Sequence, residues 1–105
     1  MGPITLILAV TTVADAAQAD RLAALVLRQR LAACVSIQPL HSHYVWKGEQ
    51  HQDDEFQLQF KTTLRQIDAL REFVLSQHPY DLPEWLCWSV ESSTAYAAWA
   101  SDQLS

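Results

Sequence analysis

The chemistry open to this chain rests on four histidines and on one set of carboxylates, a lysine and aromatics. His41-x-His43 puts two imidazoles on one face of an extended segment, because side chains alternate along a strand. That spacing holds Cu(II), Ni(II) or Zn(II) when a third donor approaches, and His51 is the candidate from the partner arm of a hairpin. A pair of solvated histidines is the commoner use of the pattern. His78 stands directly before Pro79 at the end of a helix-periodic segment, where its charge suits a helix C-terminus and its lone pair suits a metal. Glu55, Gln57, Gln59 and Lys61 share the face opposite Phe56, Leu58 and Phe60. Polar groups on a face that becomes covered must be hydrogen-bonded or paired, so a network between Lys61 and Glu55 or Glu84 is expected. The sharper alternative is a cleft where Lys61, with Tyr44, Trp46 and Tyr80, receives an anionic small molecule.

Other chemistries are excluded. Gly2 and Gly48 are the only glycines, too few for a phosphate-cradling loop or a dinucleotide fingerprint. Neither cysteine has a base and an orienting group in a recognisable pattern, and there is no G-x-S-x-G elbow, so the chain reads as a non-enzyme. Seven Lys+Arg against twelve Asp+Glu give a net charge of −5, which repels phosphate backbones and argues against a nucleic-acid partner. Cys34 and Cys87 lie in apolar stretches without C-x-x-C spacing and are expected to be buried thiols in a reducing compartment. No stretch approaches the roughly twenty apolar residues that span a bilayer, so no membrane partner is expected. The run Ile4 to Val10 followed by Ala14-Asp15-Ala16 looks like a signal segment but lacks a positive lead-in. A cytoplasmic location is the expectation.

The elements that position these residues are legible. At 105 residues the chain holds one domain, 1–105, large enough to fold without metal or disulfide staples. Ile4 to Val10 is apolar at odd and even positions and predicts a central strand covered on both faces. Asp15 caps a helix whose apolar stripe is Ala19, Leu22, Ala23 and Val26. Ala32 to Trp46, the turn Lys47-Gly48-Glu49-Gln50 and the alternation through Phe60 predict a hairpin with arms of about 40 Å, longer than the core is wide. Thr63-Leu64-Arg65-Gln66 reads as a capping box for a helix carrying Ile67, Leu70, Phe73 and Val74. His78-Pro79 stops that helix. Trp85 to Trp88 reads as a last strand, and Ser92 or Ser93 caps a final helix with Tyr96, Trp99 and Ala100. Trp85, Trp88, Tyr96 and Trp99 are expected in core and interface packing. The order β-α-β-β-α-β plus a C-terminal helix is α+β and ferredoxin-like. Its helices cover one sheet face, while the first and last strands are apolar on both. A second copy of the chain is the economical cover, which predicts a homo-oligomer.

Several segments resemble the CutA divalent-cation tolerance family: Arg30-Leu31-Ala32-Ala33-Cys34-Val35, Tyr44-x-Trp46-x-Gly48 with Glu55 downstream, Lys61-Thr62-Thr63, and His78-Pro79-Tyr80-Asp81-Leu82-Pro83-Glu84. Their order and spacing cover nearly the whole chain. The resemblance implies a homotrimer in which long hairpins build intersubunit sheets, an association with divalent-cation tolerance, a proposed Cu(II) site, and no catalysis. It places the proposed copper ligands at Thr11, Gln77 and His78, of which only His78 can bind copper well. The family's usual Gly before the last helix is replaced by Ser92-Ser93. Two functions follow as expectations: weak Cu(II) binding through His78, or a small-molecule-binding regulatory trimer with Tyr44, Trp46, Glu55, Lys61, Tyr80 and Glu84 in intersubunit clefts.

Overall fold

The computed structural model describes residues 4–104, so residues 1–3 and 105 of the expected domain lie outside the described residues. The chain runs β1 (Ile4–Val13), α1 (Ala16–Arg28), β2 (Cys34–Trp46), β3 (Glu49–Thr62), α2 (Ile67–Gln77), β4 (Leu86–Ser92) and α3 (Thr94–Leu104). The strands form one antiparallel sheet in the order β2-β3-β1-β4. This is the expected α+β ferredoxin-like arrangement with a terminal helix. β1 lies inside the sheet, which is why it is apolar at both parities.

Local chemistry accounts for most boundaries. Asp15 is extended, and its Oδ1 accepts the Gln18 N–H at 2.8 Å, capping α1. Ser93 Oγ accepts the Tyr96 N–H at 3.3 Å at the start of α3. The capping box expected at Thr63 does not form. Gln66 is itself the N-cap and makes no side-chain cap bond, because its Nε2 donates to the Leu104 carbonyl at 3.2 Å and ties α2 to the end of α3. The last strand begins at Leu86, one residue later than expected, and runs on to Ser92.

Trp46 pairs with Glu49, leaving Lys47 and Gly48 as a two-residue turn with φ of 51° and 79°. Two consecutive left-handed residues match the right-handed twist of the flanking strands. The hairpin stretches the molecule to 49 Å along one axis and its radius of gyration to 14.7 Å, above the about 13 Å of a compact chain this long. Pro39 is tolerated because β2 is an edge strand.

Ala9, Val13, Leu58 and Phe60 meet Leu22, Val26, Leu70 and Val74 in the core between the sheet and α1 and α2. On the other face α3 covers Leu6 with Ala97 and Ala100. Beyond α3, cross-strand register places Leu8 and Val10 beside Trp88 and Leu86 on one side and beside Lys61 and Gln59 on the other. In the single subunit Leu86 is 55% and Trp88 44% exposed. Of the four aromatics expected in packing, Trp85 lies against Phe60, whereas Trp88, Tyr96 and Trp99 stand on the surface. The thiols differ from expectation too: Cys87 is exposed, and Cys34 is half-buried beside a lysine rather than in apolar surroundings.

Candidate functional site: a cleft beside the outer hairpin

α2 ends because His78, forced out of helical geometry by Pro79, takes φ −75° and ψ 135°. The segment that follows is fastened to the end of β1 by two hydrogen bonds and braced by a third within itself. His78 Nε2 lies 2.9 Å from the Thr12 carbonyl, and the Tyr80 N–H points at Nδ1 from 3.1 Å. A carbonyl only accepts and a backbone N–H only donates, so the ring is the neutral Nε2–H tautomer. The buried Thr11 hydroxyl donates to the Glu84 carbonyl at 2.6 Å. Tyr80 then reaches the hairpin, its hydroxyl donating to Glu55 at 3.0 Å.

Between this segment, the end of β1 and the outer part of the hairpin opens a cleft of about 780 Å³. Tyr44, Trp46, Glu55, Tyr80 and Glu84 all line it. Tyr44 Oη donates to Asp53, and its ring stacks on His51 with centroids 5.4 Å apart. Desolvation, and next the Glu55 hydrogen bond, hold the Tyr80 hydroxyl well above its ordinary value. Burial lowers His78, although the Thr12 carbonyl and the Glu55 charge pull the other way.

Three expectations are corrected. Lys61 is not in the cleft: it lies six residues along β3 from Glu55, about 20 Å at strand rise. No carboxylate pairs with it among the described residues; its Nζ stands 3.8 Å from Cys34 Sγ instead. The expected lysine–carboxylate network is therefore absent there, and the anion reading loses its cation. His51 cannot complete a site with His41 and His43, because its cross-strand partner is Tyr44 and it shares that residue's face. His41 is bound to Asp54 at 2.8 Å and to Gln52 at 3.1 Å. The Asp54 bond raises its pKa.

Copper fits poorly at the implied positions. Both His78 nitrogens are engaged by backbone groups, and Thr11 carries a hydroxyl already committed to Glu84. Among the described residues no group of three or more His, Cys, Asp and Glu side chains is arranged around a metal position. Asp53, Asp54 and Asp81 join Glu55 and Glu84 around the cleft, and these three were missed from the sequence. The run Asp53-Asp54-Glu55 was the available signal for two of them, but nothing short of the loop's path could place Asp81.

The family model described as CutA1 divalent ion tolerance protein matches residues 7–103. The chain belongs to that family. The divalent-cation tolerance protein CutA of Escherichia coli O45:K1 (strain S88 / ExPEC) is 39% identical over 102 residues, covering 95% of this chain and 91% of the relative. CutA from Synechococcus elongatus PCC7942 superposes with a TM-score of 0.93 at 45% identity, over 96% of this chain and 91% of that one. A second structure of that cyanobacterial CutA, complexed with a Bis-Tris molecule, gives a TM-score of 0.89 at 44% identity, over 95% and 94% of the two chains. The CutA resemblance read from the motifs is thus correct, and the ferredoxin-like fold read from the order of elements matches these structures.

Proposed function

We propose that this chain serves divalent-cation tolerance as a non-enzymatic, cytoplasmic homotrimer that binds a small molecule in the cleft between the outer hairpin and the 78–85 segment. The observation that carries the reading is the cleft itself. Residues from β1, β2, β3 and the 78–85 segment converge on one cavity with three aromatic side chains, within the roughly 300–1,000 Å³ range of small-molecule sites. The complex of the Synechococcus elongatus CutA with Bis-Tris supports it by likeness. A trimer accords with the uncovered Leu86–Trp88 face and with the family resemblance. Direct Cu(II) binding through His78 is the weaker reading, since a metal would have to displace a backbone hydrogen bond at either ring nitrogen.

Native mass spectrometry of metal-stripped protein, titrated with Cu(II), tests both assembly and metal. The expected result is a trimer with a diffuse series of copper adducts that His78→Ala leaves unchanged. Three ions taken up in discrete steps, and lost in His78→Ala, would overturn the small-molecule reading in favour of copper.

A further inference from the structure

The lining of the cleft decides the class of ligand. Asp53, Glu55, Asp81 and Glu84 border it, and among the described residues none of them pairs with a lysine, arginine or histidine. Asp54 has only His41. Among the described residues no lysine or arginine lines the cleft, and His43, on the strand face opposite Tyr44 and Trp46, is the one basic residue at its border. An anion entering would meet charges of its own sign, a juxtaposition that costs affinity.

The walls point the same way. Tyr44 and Trp46 stand two residues apart on one face of β2 and each stays 41% exposed beside its His51 or Lys47 neighbour. Tyr80 faces them from the 78–85 segment. The Tyr44 and Tyr80 hydroxyls donate to Asp53 and Glu55, which pushes electron density into the two rings and makes their faces more negative. Aromatic faces of this kind attract ammonium groups, most strongly where water is excluded. One such contact already exists in the fold: Lys47 Nζ lies 5.9 Å from the centre of the Trp46 ring. The cavity, at about 780 Å³, is far larger than a bare metal ion needs.

We propose that the cleft takes a compact organic ammonium ion, its methyl or methylene groups packed on Tyr44, Trp46 and Tyr80 and its charge met by the carboxylates of Asp53, Glu55, Asp81 and Glu84. This assignment rests on the small-molecule reading above and reverses the sign of the ligand that Lys61 implied. Both hydroxyl-bound carboxylates are held in place before the ligand arrives, so little ordering cost falls on binding.

The test compares three probes on the assembled wild-type protein: choline, its uncharged carbon isostere with a tert-butyl group replacing the trimethylammonium, and citrate. Each is added in phosphate at about pH 8, without amine buffers and with ionic strength matched by sodium chloride. Choline is expected to raise the melting temperature, as any ligand of the native state does, while the isostere and citrate do not. Trp46→Ala, and separately the pair Asp81→Asn with Glu84→Gln, are each expected to cut the choline shift by about half or more. A rise with the isostere or citrate equal to that with choline would overturn the ammonium assignment and leave the cleft as a ligand site. A choline shift unchanged in both variants would put the ammonium elsewhere and overturn it too. No shift with any probe would overturn the ammonium assignment and count against the cleft reading as well.

Discussion

Protonation of His78 leaves its Nε2–H bond to the Thr12 carbonyl of β1 in place but breaks the contact that shapes the turn at Tyr80. The ring Nδ1 accepts the Tyr80 N–H, and a proton on that nitrogen turns the contact into a clash of two donors. Burial lowers its pKa from 6.5, so the folded ring sits below the unfolded one. In the interval between them the unfolded chain binds the proton more readily, and linkage makes stability fall as pH drops. The contribution is intact above about 6.5 and is lost progressively below it. His41 acts with the opposite sign, because its bond to Asp54 raises its folded pKa and favours the fold as it protonates. Melting curves from about pH 7.5 down to 5 should therefore show a steeper decline in wild type than in His78→Gln, whose amide does not titrate. Parallel declines in the two proteins would show that His78 is not the group responsible. The same geometry explains why the residue looked like a ligand in the sequence. A histidine before proline advertises its lone pair, and only the path of the backbone after Pro79 reveals that the Tyr80 N–H has taken it.

At the scale of the element, the hairpin depends on a turn whose chemistry is only half optimal. Gly48 accepts φ 79° without penalty, but Lys47 at 51° is a side-chain-bearing residue in the same region. A Cβ at Gly48 would meet nothing within 4 Å, so the cost of Gly48→Ala is conformational rather than steric. It should destabilise the fold by about 1 kcal/mol, the ordinary penalty of left-handed backbone for an L-residue. Urea unfolding would read it as a lower midpoint at unchanged slope, and an unaltered midpoint would mean that the hairpin tip unfolds apart from the rest. Elements of this kind were readable in advance because their signals are local: the Asp15 cap, the α1 stripe, the Lys47-Gly48 turn and the His78-Pro79 stop each lie within a few residues. The failures share a cause. Gln66 matched a capping box but was drawn to the Leu104 carbonyl, thirty-eight positions away. Lys61 and Glu55 share a face, yet strand rise separates them by about 20 Å, and His51 fell on the wrong face because register was set by the two-residue turn. Parity along one strand was legible; which strand, loop or helix end comes to meet it was not.

For the whole molecule, the sheet face beyond α3 is the feature a single chain leaves unresolved. Leu86 and Trp88 on β4 project beside Leu8 and Val10, and the row continues into Gln57, Gln59 and Lys61 on β3. A stripe that is apolar at one side and amide-rich at the other suits a partner surface, where the apolar part leaves water and the amides find hydrogen bonds. Full burial of a large apolar side chain stabilises by roughly 1.5–3 kcal/mol, and a cyclic trimer repeats the contact three times, so one residue weighs heavily in assembly. Trp88→Glu places a carboxylate in that stripe and should convert the proposed trimer largely to monomer in sedimentation velocity at micromolar concentration. Leu75→Glu on α2, an exposed leucine in the helical layer on the other side of the sheet, should leave assembly intact. If Trp88→Glu sediments as wild type, the open face is not the interface. The hairpin edge of β2, thirteen residues long and unpaired on its outer side, would then have to carry association alone, through backbone hydrogen bonds rather than through burial of this face.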